Sequence, residues 1–458
     1  MTPAAAPAHL KRILNLRLLV LFGLTFVGPT APFPMFGIVS SLSRGHMALA
    51  YLLAMICMSL TAYSYGRMAT VFPSAGSAYT YAQQTLHPLV GFLTGWVMLL
   101  VYVLIPLMSV IYLTLTAQRF FGSVPQAVWL ILFSTAITVM NLFGLKVANR
   151  ANFVMTAIML AVLMWFVVMA VRALGNGVGA GLLLSTRPFY DPATFSAAQV
   201  MSATSVAAYS FLGFDGISTL AEDARDPKRD IGRATVLVCL SCGVLFILQA
   251  YLGQLAWPDF NNYPNTETAF LDVAKRVGGD QLMLFVSVAL VVAGVASAVT
   301  GQASASRLLY GMGRDRLLPP RIFAYIHPKY STPTYGILCM GAVTLVCGFL
   351  LSFRLAAEAI NFGALLGFMC VNLSVISRFY VRDRARRGWD AMRNLVLPGM
   401  GFAFCLLIFI NLSRTASTIG AIWAMTGLVY IAVRTRGFRA DSPVPAFADF
   451  AADAPESG

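Results

Sequence analysis

"FVGPTAPFP", from Phe26 to Pro34, sets one glycine and three prolines inside an apolar run that extends from about residue 15 to 42. Proline removes a backbone donor and clashes with the preceding turn, so a helix cannot pass through this stretch unbroken. A second apolar run, 198–221, carries "FLGFD", Phe211 to Asp215. Both stretches read Phe, aliphatic, Gly, any residue, then a residue with a side-chain oxygen. In lipid, a broken helix exposes N–H and C=O groups, which is tolerable only where protein or a water-filled cavity covers them. A break therefore implies a cavity. Half-helix N-termini there suit a carboxylate, and freed carbonyls suit a cation or an ammonium group. An ordinary proline kink is the alternative for the first run alone.

Composition places these runs in a membrane. The chain is 58% hydrophobic against 11% charged, with a mean hydropathy of +0.75, a balance foreign to soluble globules. Twelve apolar runs are long enough as helices to cross a bilayer core: 15–42, 47–69, 89–117, 125–144, 151–173, 198–221, 234–256, 281–304, 335–352, 357–379, 394–412 and 415–433. The first continues without a small-residue cleavage site, so it reads as a retained helix rather than a signal peptide. With both termini inside, about three-quarters of the 32 lysines and arginines fall in inside segments, as the positive-inside rule requires. Both termini are therefore expected in the cytoplasm, and the net charge of +14 reflects topology and anionic lipid. Basic residues dispersed over short loops argue against nucleic acid as a partner.

No catalytic pattern stands out. The seven cysteines lie in apolar runs and read as buried free thiols, Cys239 and Cys242 included despite their redox spacing. The four histidines make no metal-ligand pattern. No nucleophile elbow or phosphate-binding loop occurs. The expectation is a protein that is not an enzyme, with no cofactor and no metal.

The interrupted runs open the first five spans and the next five respectively. Such matching interruptions point to a secondary transporter built from inverted repeats. Four further stretches carry a resemblance: "FPSAGSAYTYAQ" (Phe72 to Gln83), "GFDGISTLAEDARDPKRDI" (Gly213 to Ile231), "SRLLYGMGRDRLLP" (Ser306 to Pro319) and "INFGALLGF" (Ile360 to Phe368). In these the chain resembles the amino acid, polyamine and organocation (APC) transporter superfamily. With "FGIVS" (Phe36 to Ser40) and "HPKYSTP" (His327 to Pro333), it is similar to bacterial putrescine importers in particular.

The resemblance implies an all-α membrane protein of twelve helices, ten in a five-plus-five inverted repeat of the sodium-coupled leucine transporter type and two appended. The division is then a cytoplasmic N-terminus at 1–14, a core at 15–379 with repeats at about 15–173 and 198–379, two appended helices within 394–433, and a cytoplasmic, disordered tail at 434–458. It also implies alternating access about a midplane site between spans 1 and 6 and spans 3, 8 and 10. The expected substrate-binding residues are Val27, Gly28, Pro29, Thr30, Ala31, Tyr102, Phe211, Leu212, Gly213, Phe214 and Asp215. Proton coupling is what many members use; the coupling candidates in this chain are Asp215, Ser297, Thr300 and Ser304.

Three departures narrow the expectation. Pro34 and Val101 stand where the putrescine importers carry aspartates, and no Asp or Glu precedes Asp191. A dication without a carboxylate needs acidic partners in a low-dielectric site, so a zwitterion or a less cationic amine fits better. Met159 replaces a lysine that some proton-coupled relatives carry, which removes that route. Ser297, Thr300 and Ser304 share one helix face and offer either a sodium site or close helix packing.

Asp215 reads as a structural brace of the break or as a proton or amine site, an intramembrane carboxylate being a functional hypothesis by default. Phe211 and Phe214 read as gates over a substrate or as packing. Tyr102, Tyr209 and Tyr310 read as site residues or interfacial anchors. Glu222 and Asp223, near Arg225, Lys228 and Arg229, could form an ion-pair latch or a solvated loop. Glu358 is expected at the interface. "FPSAGSAYTYAQQTL" reads as a turn into a short interfacial helix. The function expected is import of an amino acid or small organic amine across an inner membrane. The alternatives are a polyamine importer or exchanger and, from another class, a transporter-like amino acid sensor.

Overall fold

A computed structural model describes residues 14–73, 77–143, 149–221, 224–314, 319–330 and 332–434. The expected cytoplasmic N-terminus up to residue 13, the tail from 435 and the proposed latch residues Glu222 and Asp223 lie outside the described residues.

The first apolar run folds as two helices, α1 (Leu16–Val27) and α2 (Pro32–Leu42), bent by 58° at the break. The Asn15 side chain starts α1 by accepting from Leu18 N–H at 3.0 Å, a normal N-cap bond. Gly28 ends it with φ +81°, a left-handed conformation that favours glycine. Pro32 then opens α2 at a position whose N–H needs no intrahelical acceptor.

Helix α3 is Met47–Ala69, α4 the short Ser77–Thr85, α5 Pro88–Phe120, α6 Gln126–Leu142 and α7 Asn149–Gly175. The sixth run opens as α8 (Ala197–Ala207) and breaks into 3-10 turns at Ala208–Phe211 and Phe214–Leu220. Then come α9 (Pro227–Ala256), α10 (Ala269–Arg314, interrupted at Gly279 with φ +70°), the single turn α11 (Pro320–Phe323), α12 (Thr334–Leu350) and α13 (Phe353–Val375). Helix α13 continues as a π-helical turn, Ile376–Arg382. The turn α14 (Trp389–Ala391) and a second π-helical stretch, Met392–Val396, lead into α15 (Leu397–Ile410), and α16 (Arg414–Arg434) follows. Among the described residues, eight helices are long and apolar enough to cross a membrane, nine if the bent pair α1–α2 counts as one. Helices α6 and α12 are apolar but only 17 residues each.

Small residues set the closest approaches. Gly66 of α3 meets Gly232 of α9 so tightly that a Cβ on Gly66 would fall 2.5 Å from the Gly232 Cα. This is the small-residue packing that brings helix backbones together in lipid. Helix α5 is central: Gly294 and Gly301 of α10 face its Leu113 and Ile105, and Gly363 and Gly367 of α13 face its Val97 and Met98. Phe33 of α2 stacks on Phe270 of α10, with Phe166 of α7 edging both. At the opposite end from α2, Leu14 and Ala224 form a parallel β-bridge, with Arg225 N–H donating to the Leu14 carbonyl at 2.9 Å.

Three expectations are corrected here. Glu358, expected at the interface, is enclosed by protein and 1% exposed: Arg354 donates to it at 2.8 Å, and it accepts from Ser413 N–H at 3.2 Å ahead of α16. Helix α4 forms as expected, yet Ala78, Tyr79, Tyr81, Ala82 and Thr85 are buried between α5, α13 and the turn 214–220, so it is a packed element. Of the cysteines, all are free, but Cys339 is exposed and Cys347 and Cys370 are half-buried.

Candidate functional site

The first break runs from Gly28 to Ala31. Gly28 N–H still closes the last turn of α1 on the Leu24 carbonyl at 3.0 Å, and Ala31 N–H returns to the Gly28 carbonyl at 3.1 Å. The Pro29 carbonyl has left the helix ladder. It accepts instead from Gln249 Nε2 of α9 at 2.8 Å. A Cβ built on Gly28 would find nothing within 4 Å, so open space borders the break. Val27 and Thr30 are buried beside it, and Ala31 is half-buried.

The second break centres on Leu212 and Gly213. Leu212 is extended (ψ 139°) and Gly213 left-handed (φ +112°), after which the chain coils tightly to Leu220. Asp215, half-buried, turns its carboxylate back so that Oδ1 accepts from Gly213 N–H at 3.3 Å, and Ser218 Oγ donates to the Asp215 carbonyl at 2.6 Å. The aspartate thus satisfies backbone that the break releases.

Phe26 joins the two breaks. A Cβ on Gly213 would stand 2.7 Å from the Phe26 ring and 3.1 Å from its carbonyl, and one on Gly216 would stand 2.9 Å from the same ring. Gly213, with backbone of Phe26 close by and φ +112°, has no room for a side chain, whereas at Gly216 the Phe26 ring alone would have to shift. Stacked on Phe22 at 5.7 Å and 53% exposed, Phe26 is accessible on its other face.

The remaining expected residues separate into two groups. Tyr102, in the middle of α5, keeps 40% of its surface accessible. Tyr209 and Leu212 are half-buried. Phe211 and Phe214 face away into packing: Phe211 edges Phe246 at 5.0 Å, and Phe214 lies 5.1 Å from Phe368 and 5.8 Å from Tyr65. Ser297, Thr300 and Ser304 form an exposed stripe on α10, where Ser304 Oγ donates to the Thr300 carbonyl at 2.9 Å. Tyr310 lies half-buried beyond them on the same helix. Val101 borders Gly363, and Pro34 sits in the first turn of α2. Outside the spanning segments, burial of Glu267 raises its carboxyl above the usual range, opposed by a bond from the Phe353 backbone.

Two buried amides belong to the site and were not anticipated. Gln249 holds the Pro29 carbonyl, and Asn361 Nδ2 donates to the Ser205 carbonyl in the last turn of α8 at 2.6 Å. Each sits on a neighbouring helix and takes up an acceptor near a break. Ser77 of α4 adds a 2.8 Å bond to Ser218, tying the coil after Asp215 to α4.

A family model described as amino acid permease matches residues 19–436. The chain is similar to the low-affinity putrescine importer PlaP of Escherichia coli (strain K12), 36% identical over 98% of this chain and 99% of that protein. It is also similar to the branched-chain amino acid permease BcaP of Bacillus subtilis (strain 168), 24% identical over 92% of each chain. The methylthioribose transporter of the same bacterium is 25% identical over 92% of this chain and 93% of its own length.

Proposed function

The chain belongs to the amino acid permease family, and we propose that it is a secondary active importer of an amino acid or related small organic amine, working by alternating access in a bacterial inner membrane. One observation carries the proposal: two broken helices meet through Phe26 beside open space at Gly28, with the carboxylate of Asp215 at the junction. In this proposal the bent pair α1–α2, the short helices α6 and α12 and the interrupted segment 197–220 span alongside the longer helices, giving twelve spans with both termini cytoplasmic. Residues 15–379 form the inverted-repeat core and 394–433 the appended pair. The substrate's carboxylate meets N–H groups at residues 28–31 and its amine meets Asp215 and carbonyls at 211–213, with Tyr102 across the cavity. The coupling ion is H+, carried by Asp215. The hydroxyl stripe of Ser297, Thr300 and Ser304 is the place for sodium if it is not.

One acid beside the cavity balances one ammonium. A diamine needs a second, and Pro34 and Val101 provide none. The PlaP likeness favours a second reading, a putrescine importer that holds one ammonium at Asp215 and the other on carbonyls. Competition in proteoliposomes decides between them. Neutral amino acids are expected to displace labelled substrate better than putrescine, and putrescine winning by about tenfold, or about 1.4 kcal/mol, overturns the first reading.

A further inference from the structure

Seven arginines converge where α13 ends and α15 begins: Arg378, Arg382, Arg384, Arg386, Arg387 and Arg393 from the connection, and Arg67 from the end of α3. Among the described residues of this connection, Asp383 and Asp390 are the acids that oppose them. The protein employs four of the seven itself. Arg382 donates to the Gln84 and Thr85 carbonyls at 3.1 and 2.7 Å, capping α4. Arg378 pairs with Asp383 at 3.2 Å, Arg386 bonds the Tyr380 carbonyl at 3.0 Å, and Arg67 bonds Asn394 at 2.8 Å while lying over the Phe379 ring. These bonds fold the connection into a fixed corner, turned by left-handed Arg384 (φ +53°) and Gly388 (φ +51°).

Three are left over. Arg384 and Arg387 are exposed, and among the described residues their guanidinium groups have no hydrogen-bond or ion-pair partner; that of Arg393 has none either and lies over the ring of Trp389, at 5.5 Å. Around them stand exposed apolar side chains: Trp389 at 62%, Val381 at 53%, Val396 at 41% and Met392 at 39%. Guanidinium groups beside exposed Trp and aliphatic side chains, at the ends of two membrane-spanning helices, match both halves of one molecule. The phosphate takes the bidentate N–H donors, and the acyl chains cover the apolar flank at the level where aromatic residues settle in bilayers.

We propose that the corner formed by residues 376–396 binds an anionic phospholipid, with Arg384, Arg387 and Arg393 on its headgroup phosphate. An acidic soluble protein would answer the charge but leave Val381, Trp389, Met392 and Val396 without an apolar partner. The site shares no residue with the two breaks and does not depend on what is transported. Its occupant pins α13, which carries Asn361, and through Arg67 and Asn394 it pins α3 as well.

The test compares thermal midpoints of the full-length chain in nanodiscs of phosphatidylcholine alone and of phosphatidylcholine with phosphatidylglycerol in equal parts. Phosphatidylglycerol is expected to raise the wild-type midpoint by several degrees. The triple variant R384Q/R387Q/R393Q should melt like wild type in phosphatidylcholine and lose more than half of that rise, while R384K/R387K/R393K keeps most of it. If the triple Gln variant does not insert, Arg384→Gln and Arg393→Gln are measured singly, each expected to lose part of the rise. No rise in wild type, or an equal rise in wild type and the Gln variants, overturns the proposal. So does a full rise produced by soluble glycerol phosphate with phosphatidylcholine alone, which would mark a free-anion site. A rise restored only by an acidic peptide would mark a protein surface and overturn it too.

Discussion

The two breaks share one letter pattern and have opposite surroundings. At Gly28 the chain turns into open space and its stray carbonyl is held from outside, by Gln249 of another helix. At Gly213 the chain turns against a filled surface, Phe26, and is braced from within by the carboxylate two residues on. The first break leaves room for a ligand, and the second is built to hold a contact. A glycine at the same motif position thus has two different reasons: at Gly28 only φ demands it, whereas at Gly213 φ and a neighbour both do.

Adding one methyl group breaks the comparison most sharply. Gly213→Ala combines a left-handed Cβ with a clash on Phe26, a cost of about 2–4 kcal/mol. It is expected to lower the thermal midpoint of the purified protein and abolish uptake together. A midpoint unchanged from wild type would show that Phe26 yields freely. Gly28→Leu should separate the two readouts. Its backbone strain is about 1–2 kcal/mol, the protein should still insert and fold, and uptake should vanish because the side chain enters the open space. Normal uptake by that variant would take the first break out of the site.

Asp215 sharpens the contrast between brace and proton carrier. If it carries the coupling proton, Asp215→Asn should lose uptake driven by a pH gradient while exchange of labelled for unlabelled substrate survives. A brace alone predicts small, parallel losses, since Asn still accepts from Gly213 N–H, and severe loss of both with Asp215→Leu. Near wild-type pH-driven uptake by Asp215→Asn would move the coupling ion elsewhere, to the Ser297, Thr300 and Ser304 stripe first. The smallest effect belongs to Gln249→Leu, which strands the Pro29 carbonyl at a cost of about 1–3 kcal/mol. A severalfold drop in uptake with a modestly lower midpoint is expected, and no change in either would mean that water replaces the amide.

Much of this architecture was legible because glycine and proline act locally. Gly28, Pro29, Pro32 and Gly213 interrupt apolar runs whatever surrounds them, and Asp215 is conspicuous in lipid. What surrounds a break was not legible. Gln249 looks like any lone amide in an apolar helix until the chain brings it, 220 residues later, to Pro29. Phe26 opens the motif, yet its contact with Gly213 and Gly216 depends on how α1 crosses the coil after the second break. The burial of Glu358 was hidden for the same reason, its acceptor role being set by Ser413, 55 residues on and just ahead of α16. Phe211 and Phe214 carry gate chemistry in sequence, but Phe246, Tyr65 and Phe368 draw both rings into packing.

The small β-bridge between Leu14 and Ala224 has a mechanical side. It fastens Leu14, just ahead of α1, to Ala224 and Arg225, just ahead of α9, so that the starts of the two helices are tied together. Under the proposed alternating access, this bridge would carry a displacement of one break directly to the other.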